Sequence, residues 1–359
     1  MSLPPNRLQL YLADTDVRAV YDNVRRHRII ISGYDVTRRC NLRCEGCFFF
    51  EGDRADGYAD DVDLEAYRRF FRAERERGIT YPHLAGAEPA LVQDRLRAAA
   101  ESFDQGLVYT NGTLPIDPDL PFMLHISVWG NRETDRKYRG ADVLGKALEL
   151  YGGDDRAIFM YTMNHGNIDH LPEIVRMVHD AGSRISFSHY SPTRLYNRKL
   201  AGTDERRTRT FRISTAQDNL CLNDLDLDRA RRVADEMMAG FPDTVVYSPY
   251  YNETVSAPGP LFAIDAQTGM ATDCPILNKP YHRQYHTDLS WDDSECCIPN
   301  VDCRSCRHYV SVYSLVMDRM RDHLASRQSF VRWLDVVDTW LALHVRGYRR
   351  SRILLREAA

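Results

Sequence analysis

Arg28-Ile-Ile-Ile-Ser-Gly-Tyr-Asp-Val-Thr-Arg-Arg-Cys40-Asn-Leu-Arg-Cys44-Glu-Gly-Cys47 begins as a short apolar run and ends in three cysteines spaced C-x3-C-x2-C. Three thiolates within eight residues, directly after a strand, can hold three corners of an iron–sulfur cluster and leave the fourth iron open for another ligand. Zinc, or three separately buried thiols, would use the same residue type. Zinc ordinarily takes four protein ligands, and the nearest fourth candidate downstream is His83.

Outward from this run, short apolar stretches alternate with helical patterns up to about residue 188, the signature of repeated βα units on a parallel sheet. The strand candidates are Ile29–Asp35, Tyr81–Ala85, Leu107–Thr110, Phe122–Val128, Ala157–Met163 and Arg184–Ser188. Between them, Asp63 reads as the N-cap of a helix whose inner face carries Leu64, Tyr67, Phe70 and Phe71 and which ends at Gly78. Asn167 reads as the cap of a second helix ended by Gly182. Six such units predict a partial (β/α)6 barrel with its active site at the C-terminal ends of the strands, the end on which the cysteine loop falls.

Other strand ends carry further candidates. Gly86-Ala87-Glu88-Pro89 follows the second strand, Thr110-Asn111-Gly112 ends the third, and Ser127 ends the fourth with Arg139 twelve positions on. Asn164, His165 and Asn167 follow the fifth, and Ser188 and His189 end the sixth. With the cysteine run and Phe48, Phe49 and Phe50 after it, the pattern resembles the radical S-adenosylmethionine (SAM) enzymes. That resemblance implies a [4Fe–4S] cluster on Cys40, Cys44 and Cys47, whose open iron is chelated by SAM, and reductive cleavage of SAM to a 5′-deoxyadenosyl radical. It implies that Gly86, Ala87, Glu88 and Pro89 hold the SAM ammonium through backbone carbonyls and a carboxylate. Ser127 and Arg139 would meet the ribose and the SAM carboxylate, with Asn164 and Ser188 near ribose, adenine or substrate. It also implies an external electron donor such as flavodoxin or ferredoxin. The chain departs from the pattern twice: Ala87 replaces a Gly, and Gly46 stands where an aromatic or bulky residue often touches the adenine. Either Phe48 takes over that contact or the adenine sits differently.

A second group, Cys274, Cys296, Cys297, Cys303 and Cys306, follows a hairpin whose turn is Asp265–Gly269. Four thiolates would close a second [4Fe–4S] cluster, and the pattern resembles the twitch or SPASM-like extensions of the same superfamily. The ligands expected are Cys274, Cys303 and Cys306 with Cys297, or alternatively Cys296. A four-cysteine zinc ribbon would accept the same donors.

With 359 residues and a net charge of -4, the chain can bury a sizeable core and shows no basic footprint for nucleic acid. It has no apolar run long enough for a membrane helix. Nine cysteines, clustered toward the two ends, fit metal ligation in a reducing cytosol better than a disulfide framework. The expected divisions are a helical segment over 1–27, the barrel over 28–224, the auxiliary-cluster region over 225–310 and C-terminal helices over 311–359. Phe330, Trp333, Leu334, Val337, Trp340 and Leu341 share a helix face expected to pack on the barrel. Relatives with one auxiliary cluster often act on sugars, aminocyclitols or nucleosides, which favours a small polar substrate. A ribosomally made peptide is the alternative, and a non-catalytic metal-binding module a distant one. No catalytic side chain is singled out.

Overall fold

The computed structural model describes residues 7–51, 58–202, 213–279, 281–292, 296 and 300–351. Its centre is a sheet of parallel strands: β1 Ile31–Asp35, β2 Tyr81–Ala85, β3 Leu107–Thr110, β4 Met123–Val128, β5 Ala157–Met163 and β6 Arg184–His189. These are the six expected strands, with ends shifted by at most two residues. A seventh, β7 (Gln284–Tyr285), comes from the second cysteine region and pairs in parallel with β1, giving the order β6-β5-β4-β3-β2-β1-β7. Two residues of strand carry no periodicity, so β7 was beyond reach of the sequence pattern. The architecture is α/β, an open parallel sheet flanked by helices.

Local chemistry explains the elements. Asp63 Oδ1 accepts the Ala66 amide at 2.8 Å to start the helix Leu64–Glu76. Tyr67 and Phe71 of that helix are buried, with Phe71 edge-on to Tyr34 of β1. Asn167 departs from expectation, since its side chain does not cap the following helix. It donates instead to the carbonyls of Trp129 and Thr162 and accepts the Asn164 amide at 2.7 Å, tying the ends of β4 and β5 together. The polar stretch 191–224, which lacks a clear period, contains the helix Arg194–Leu200, capped by Thr193. Val245 makes a single bridge to Ile185 of β6. The hairpin before Cys274 is present, bridged at Ile264 and Ala271 with Gly269 at φ +68° in its turn.

The helix Arg327–His344 is buried on more than its apolar stripe, including Asp335 and Asp338. Arg350 donates to Asp335 Oδ1 at 2.6 Å while Oδ2 is left without a hydrogen-bond partner among the described residues, and the Tyr348 hydroxyl donates to Asp338 at 2.6 Å. Its C-terminal carbonyls reach between the strands: Leu343 O to His125 Nε2 at 2.9 Å and His344 O to the Tyr81 hydroxyl at 2.5 Å. This helix therefore closes one end of the sheet's concave side. Among the described residues no helix is long and apolar enough to cross a membrane.

Candidate active site

Side chains of a strand alternate between its two faces. On the concave face, Asp35, His83 and Ala85, Tyr109, His125 and Ser127 line one cavity of about 300 Å³. Thr162 of β5 and Ser188 of β6, register partners, continue the wall.

Cys40, Cys44 and Cys47 border the same cavity. Two N–H groups approach Cys40 Sγ, the Leu42 amide at 3.3 Å and Asn111 Nδ2 at 3.8 Å, and Arg139 Nε approaches Cys44 Sγ at 3.5 Å. Such donors suit sulfur that carries negative charge. Burial pushes the Cys40 thiol up to about 11 and Cys47, with the Cys44 charge adding to burial, up to about 12. The bare thiols of Cys40 and Cys47 stay protonated at neutral pH, so ionising them calls for the positive charge of bound metal. Among the described residues no three His, Cys, Asp or Glu groups converge closely enough to hold a single metal ion. Three soft donors with N–H partners, opening on a cavity, fit a cluster.

Of the residues matched to the Gly-Gly-Glu-Pro pattern, Gly86 and Ala87 line the cavity. Gly86 has φ +123°, and a Cβ there would stand 2.6 Å from the Thr37 carbonyl oxygen, so only glycine fits. Ala87 avoids positive φ, which is why an alanine serves; its amide donates to Thr37 O at 2.9 Å. Glu88 and Pro89 are buried and do not line the cavity. The Glu88 carboxylate, expected to face the SAM ammonium, accepts the Asn111 amide at 2.7 Å, the Thr110 hydroxyl at 2.7 Å and the Ala90 amide at 3.0 Å. Burial lifts its carboxyl above the usual range against those bonds. It holds the end of β3 beside the cysteine loop.

Ser127 and Arg139 both line the cavity, and Arg139 donates to the Ser127 carbonyl. Although burial opposes its charge, Cys44 and Asp135 hold the Arg139 guanidinium above its ordinary value. Ser188 also lines the cavity. Asn164 does not: its side-chain oxygen accepts the Gly166 amide at 3.0 Å within the turn after β5. Tyr161 and His165 likewise turn away, Tyr161 to the Asn167 carbonyl and His165 to Asp226 at 2.8 Å. Phe48 borders the cavity and is 39 % exposed. At Gly46, φ is +57°, and a Cβ would lie 2.1 Å from the Tyr190 hydroxyl, which donates to Gly46 O at 3.0 Å. Tyr190, edge-on to Trp129, thus brings an aromatic ring to the place where the loop has none.

Sequence reasoning missed His83, Tyr109 and His125, which sit inside strands rather than at their ends. The available signal was period two: His83 precedes Ala85, and His125 precedes Ser127, by two positions. It also missed His282, His308 and Tyr309, which reach the cavity from the C-terminal region through tertiary packing alone.

In the second cysteine group, Cys274, Cys303 and Cys306 are buried. Burial raises the Cys306 thiol, and the nearby charges of Cys296, Cys274 and Cys303 raise it further. Cys296 therefore stands near the other three, and Cys297 lies outside the described residues. The segment is fastened beside β6: Arg194 N donates to Asn300 O at 2.7 Å, Asp302 N to Pro192 O at 2.9 Å and Arg307 N to Ser191 Oγ at 2.9 Å. His308, two residues after Cys306, is already in the cavity wall.

No protein-family model matches the chain. An uncharacterized protein of Archaeoglobus fulgidus is 27 % identical over 179 residues, 47 % of this chain and 40 % of its own length. Fe-coproporphyrin III synthase of Methanosarcina barkeri is 27 % identical over 173 residues, 44 % of this chain and 43 % of its own length. The matched segment thus spans less than half the length of either relative. Among solved structures, Streptococcus suis SuiB bound to S-adenosylmethionine superposes with a TM-score of 0.51 at 13 % identity, covering 82 % of this chain and 67 % of that one. The chain thus shares its fold with that structure, and its C-x3-C-x2-C run opens on the cavity at the end of β1.

Proposed function

We propose that the chain is a radical SAM enzyme, which binds a [4Fe–4S] cluster on Cys40, Cys44 and Cys47 and SAM beside it, and takes a hydrogen atom from a small polar substrate of sugar, aminocyclitol or nucleoside type. The observation that carries this reading is one cavity bordered at once by the three cysteines, by the Gly86-Ala87 backbone and by Ser127 and Arg139. Bound there, the cluster and SAM supply the one-electron chemistry that generates a carbon radical. The chain's own residues bind and orient. The Arg139 guanidinium suits the SAM carboxylate, and the backbone at Gly86 and Ala87 its ammonium. The enclosing strands keep water from the reacting bond. The residues 225–310 serve as the auxiliary-cluster region, with Cys274, Cys296, Cys303 and Cys306 as the donor set, and reduction comes from an external flavodoxin or ferredoxin.

A small substrate is supported by the cavity itself. Hydroxyl and imidazole groups of Tyr109, Thr162, Ser188, His83, His125 and His189 stand on its wall, where they suit a substrate bearing hydroxyl or amine groups. Deuterated sugars, aminocyclitols and nucleosides, incubated with reduced enzyme and SAM, are expected to transfer label to 5′-deoxyadenosine. Label transferred from a peptide alone would refute the substrate class.

A further inference from the structure

Toward the end of β5 and of β6 one residue is half-buried between two buried neighbours, Thr162 in the first and Ser188 in the second. Because side chains alternate across a strand, this puts both on the concave face, where they line the cavity. They are register partners, and their hydroxyl oxygens lie 3.1 Å apart. A hydroxyl carries one proton and two lone pairs. Their contact uses one proton whichever of the two gives it, so the pair as a whole always keeps one O–H. Among the described residues no group of the protein accepts that O–H. The pair is also held in place. Asn167 Nδ2 donates to the Thr162 carbonyl at 2.8 Å, and the Tyr190 amide to the Met163 carbonyl at 2.9 Å, which fixes the ends of β5 and β6 against each other. In the open cavity water can take the spare O–H. When a ligand fills the cavity and water leaves, the ligand must offer an acceptor or the donor is left unmet.

We infer that Thr162 and Ser188 together determine specificity: the O–H left over by their mutual contact is given to a hydroxyl oxygen of the substrate, whose own proton the pair's lone pairs can take. A substrate that carries hydrogen in place of that hydroxyl would leave the donor unmet and be rejected. The place of the pair favours substrate over SAM. Gly86 and Ala87, given to SAM above, follow β2, and Arg139 follows β4, whereas the pair stands on β5 and the edge strand β6. To that edge the second cysteine segment is fastened, at Pro192 and Ser191. The inference rests on the small polar substrate proposed above.

The test uses cluster-loaded enzyme, reduced, with SAM and the deuterated sugar, aminocyclitol and nucleoside panel. The readout is the ratio of labelled to total 5′-deoxyadenosine in each incubation, which separates substrate placement from SAM cleavage. Thr162→Val and Ser188→Ala each remove one hydroxyl and leave the other with its proton unspent, so each single variant should stay near the wild-type ratio. The double variant has no donor, and its ratio is expected to fall about tenfold, the effect of leaving one buried partner unmet. A pair that served only to tie β5 to β6 would behave otherwise, because either single variant already breaks its bond and the double would add nothing. A second arm needs the wild-type enzyme alone: among the monodeoxy analogues of the compound that labels best, one should give a ratio lower by about tenfold. If no compound of the panel labels the wild-type product, the substrate reading fails and takes this inference with it. If the panel labels but the single variants are as damaged as the double, or wild type accepts every monodeoxy analogue equally, this inference alone is overturned. A raised KM for SAM in the double variant with its label ratio unchanged would also overturn it, by placing the pair against SAM.

Discussion

Enzyme in which Cys40, Cys44 and Cys47 are all replaced by Ala is expected to form no 5′-deoxyadenosine above background while remaining folded. The loop has backbone bonds besides the N–H contacts to its thiols. Backbone bonds hold it: Ala87 N to Thr37 O at 2.9 Å, Glu88 N to Arg39 O at 2.9 Å and Glu45 N to Tyr138 O at 2.7 Å. Losing three sulfurs removes cluster donors without removing those bonds, so circular dichroism and the thermal midpoint should change little. Replacing Cys303 and Cys306 should act differently, sparing some SAM cleavage but removing product, because only the first group borders the Gly86-Ala87 wall. Product analysis by mass spectrometry of the two variants side by side checks this. Persistent reductive cleavage in the N-terminal triple variant would overturn the assignment of the cluster.

Stability is expected to collapse between neutral pH and pH 5, through the histidines buried around the cavity. Burial holds His125, His282 and His308 neutral down to about 4 and His189 down to about 3, with His83 and His344 also depressed. In the unfolded chain the same rings titrate near 6.5. Between those values the unfolded state binds more protons, so the stabilisation is fully present above pH 6.5 and is lost as pH falls toward 4. Each ring gives up about 1.4 kcal/mol per pH unit in that window, so three together lose about 6 kcal/mol by pH 5 and about 10 kcal/mol by pH 4, comparable with the whole stability of a domain. Urea titrations at pH 7.5, 6.5, 5.5 and 5.0 should show the midpoint falling steeply below 6.5. A midpoint that stays level to pH 5 would mean that these imidazoles are not buried as described.

The frame of the molecule was legible because its signals are local. Ile29–Asp35 and Ala157–Met163 are apolar runs of strand length, Asp63 is followed by an amphipathic face, and the strand ends carry Cys40, Gly86, Ser127 and Ser188 in the order that a parallel barrel puts on one rim. What could not be read depends on contacts distant in sequence. β7 exists because Gln284 and Tyr285 meet β1, some 250 residues away in the chain. The contacts of Glu88 with Thr110 and Asn111 of the next strand end, and of Asn164 with Gly166 in its own turn, are not reported by motif or position. The hydrogen-bond contacts among His83, Tyr109, Tyr309 and His125 join β2, β3 and β4 to a residue of the C-terminal region, and no spacing rule reports such a convergence.

The central claim is that SAM is cleaved by an electron delivered at Cys40, Cys44 and Cys47. The measurement that addresses it most directly is anaerobic reconstitution with iron and sulfide, reduction in the presence of SAM, and quantification of 5′-deoxyadenosine and methionine by mass spectrometry. The account predicts equal amounts of both products, formed only with reductant and iron. SAM recovered intact from reduced, iron-loaded enzyme would contradict it.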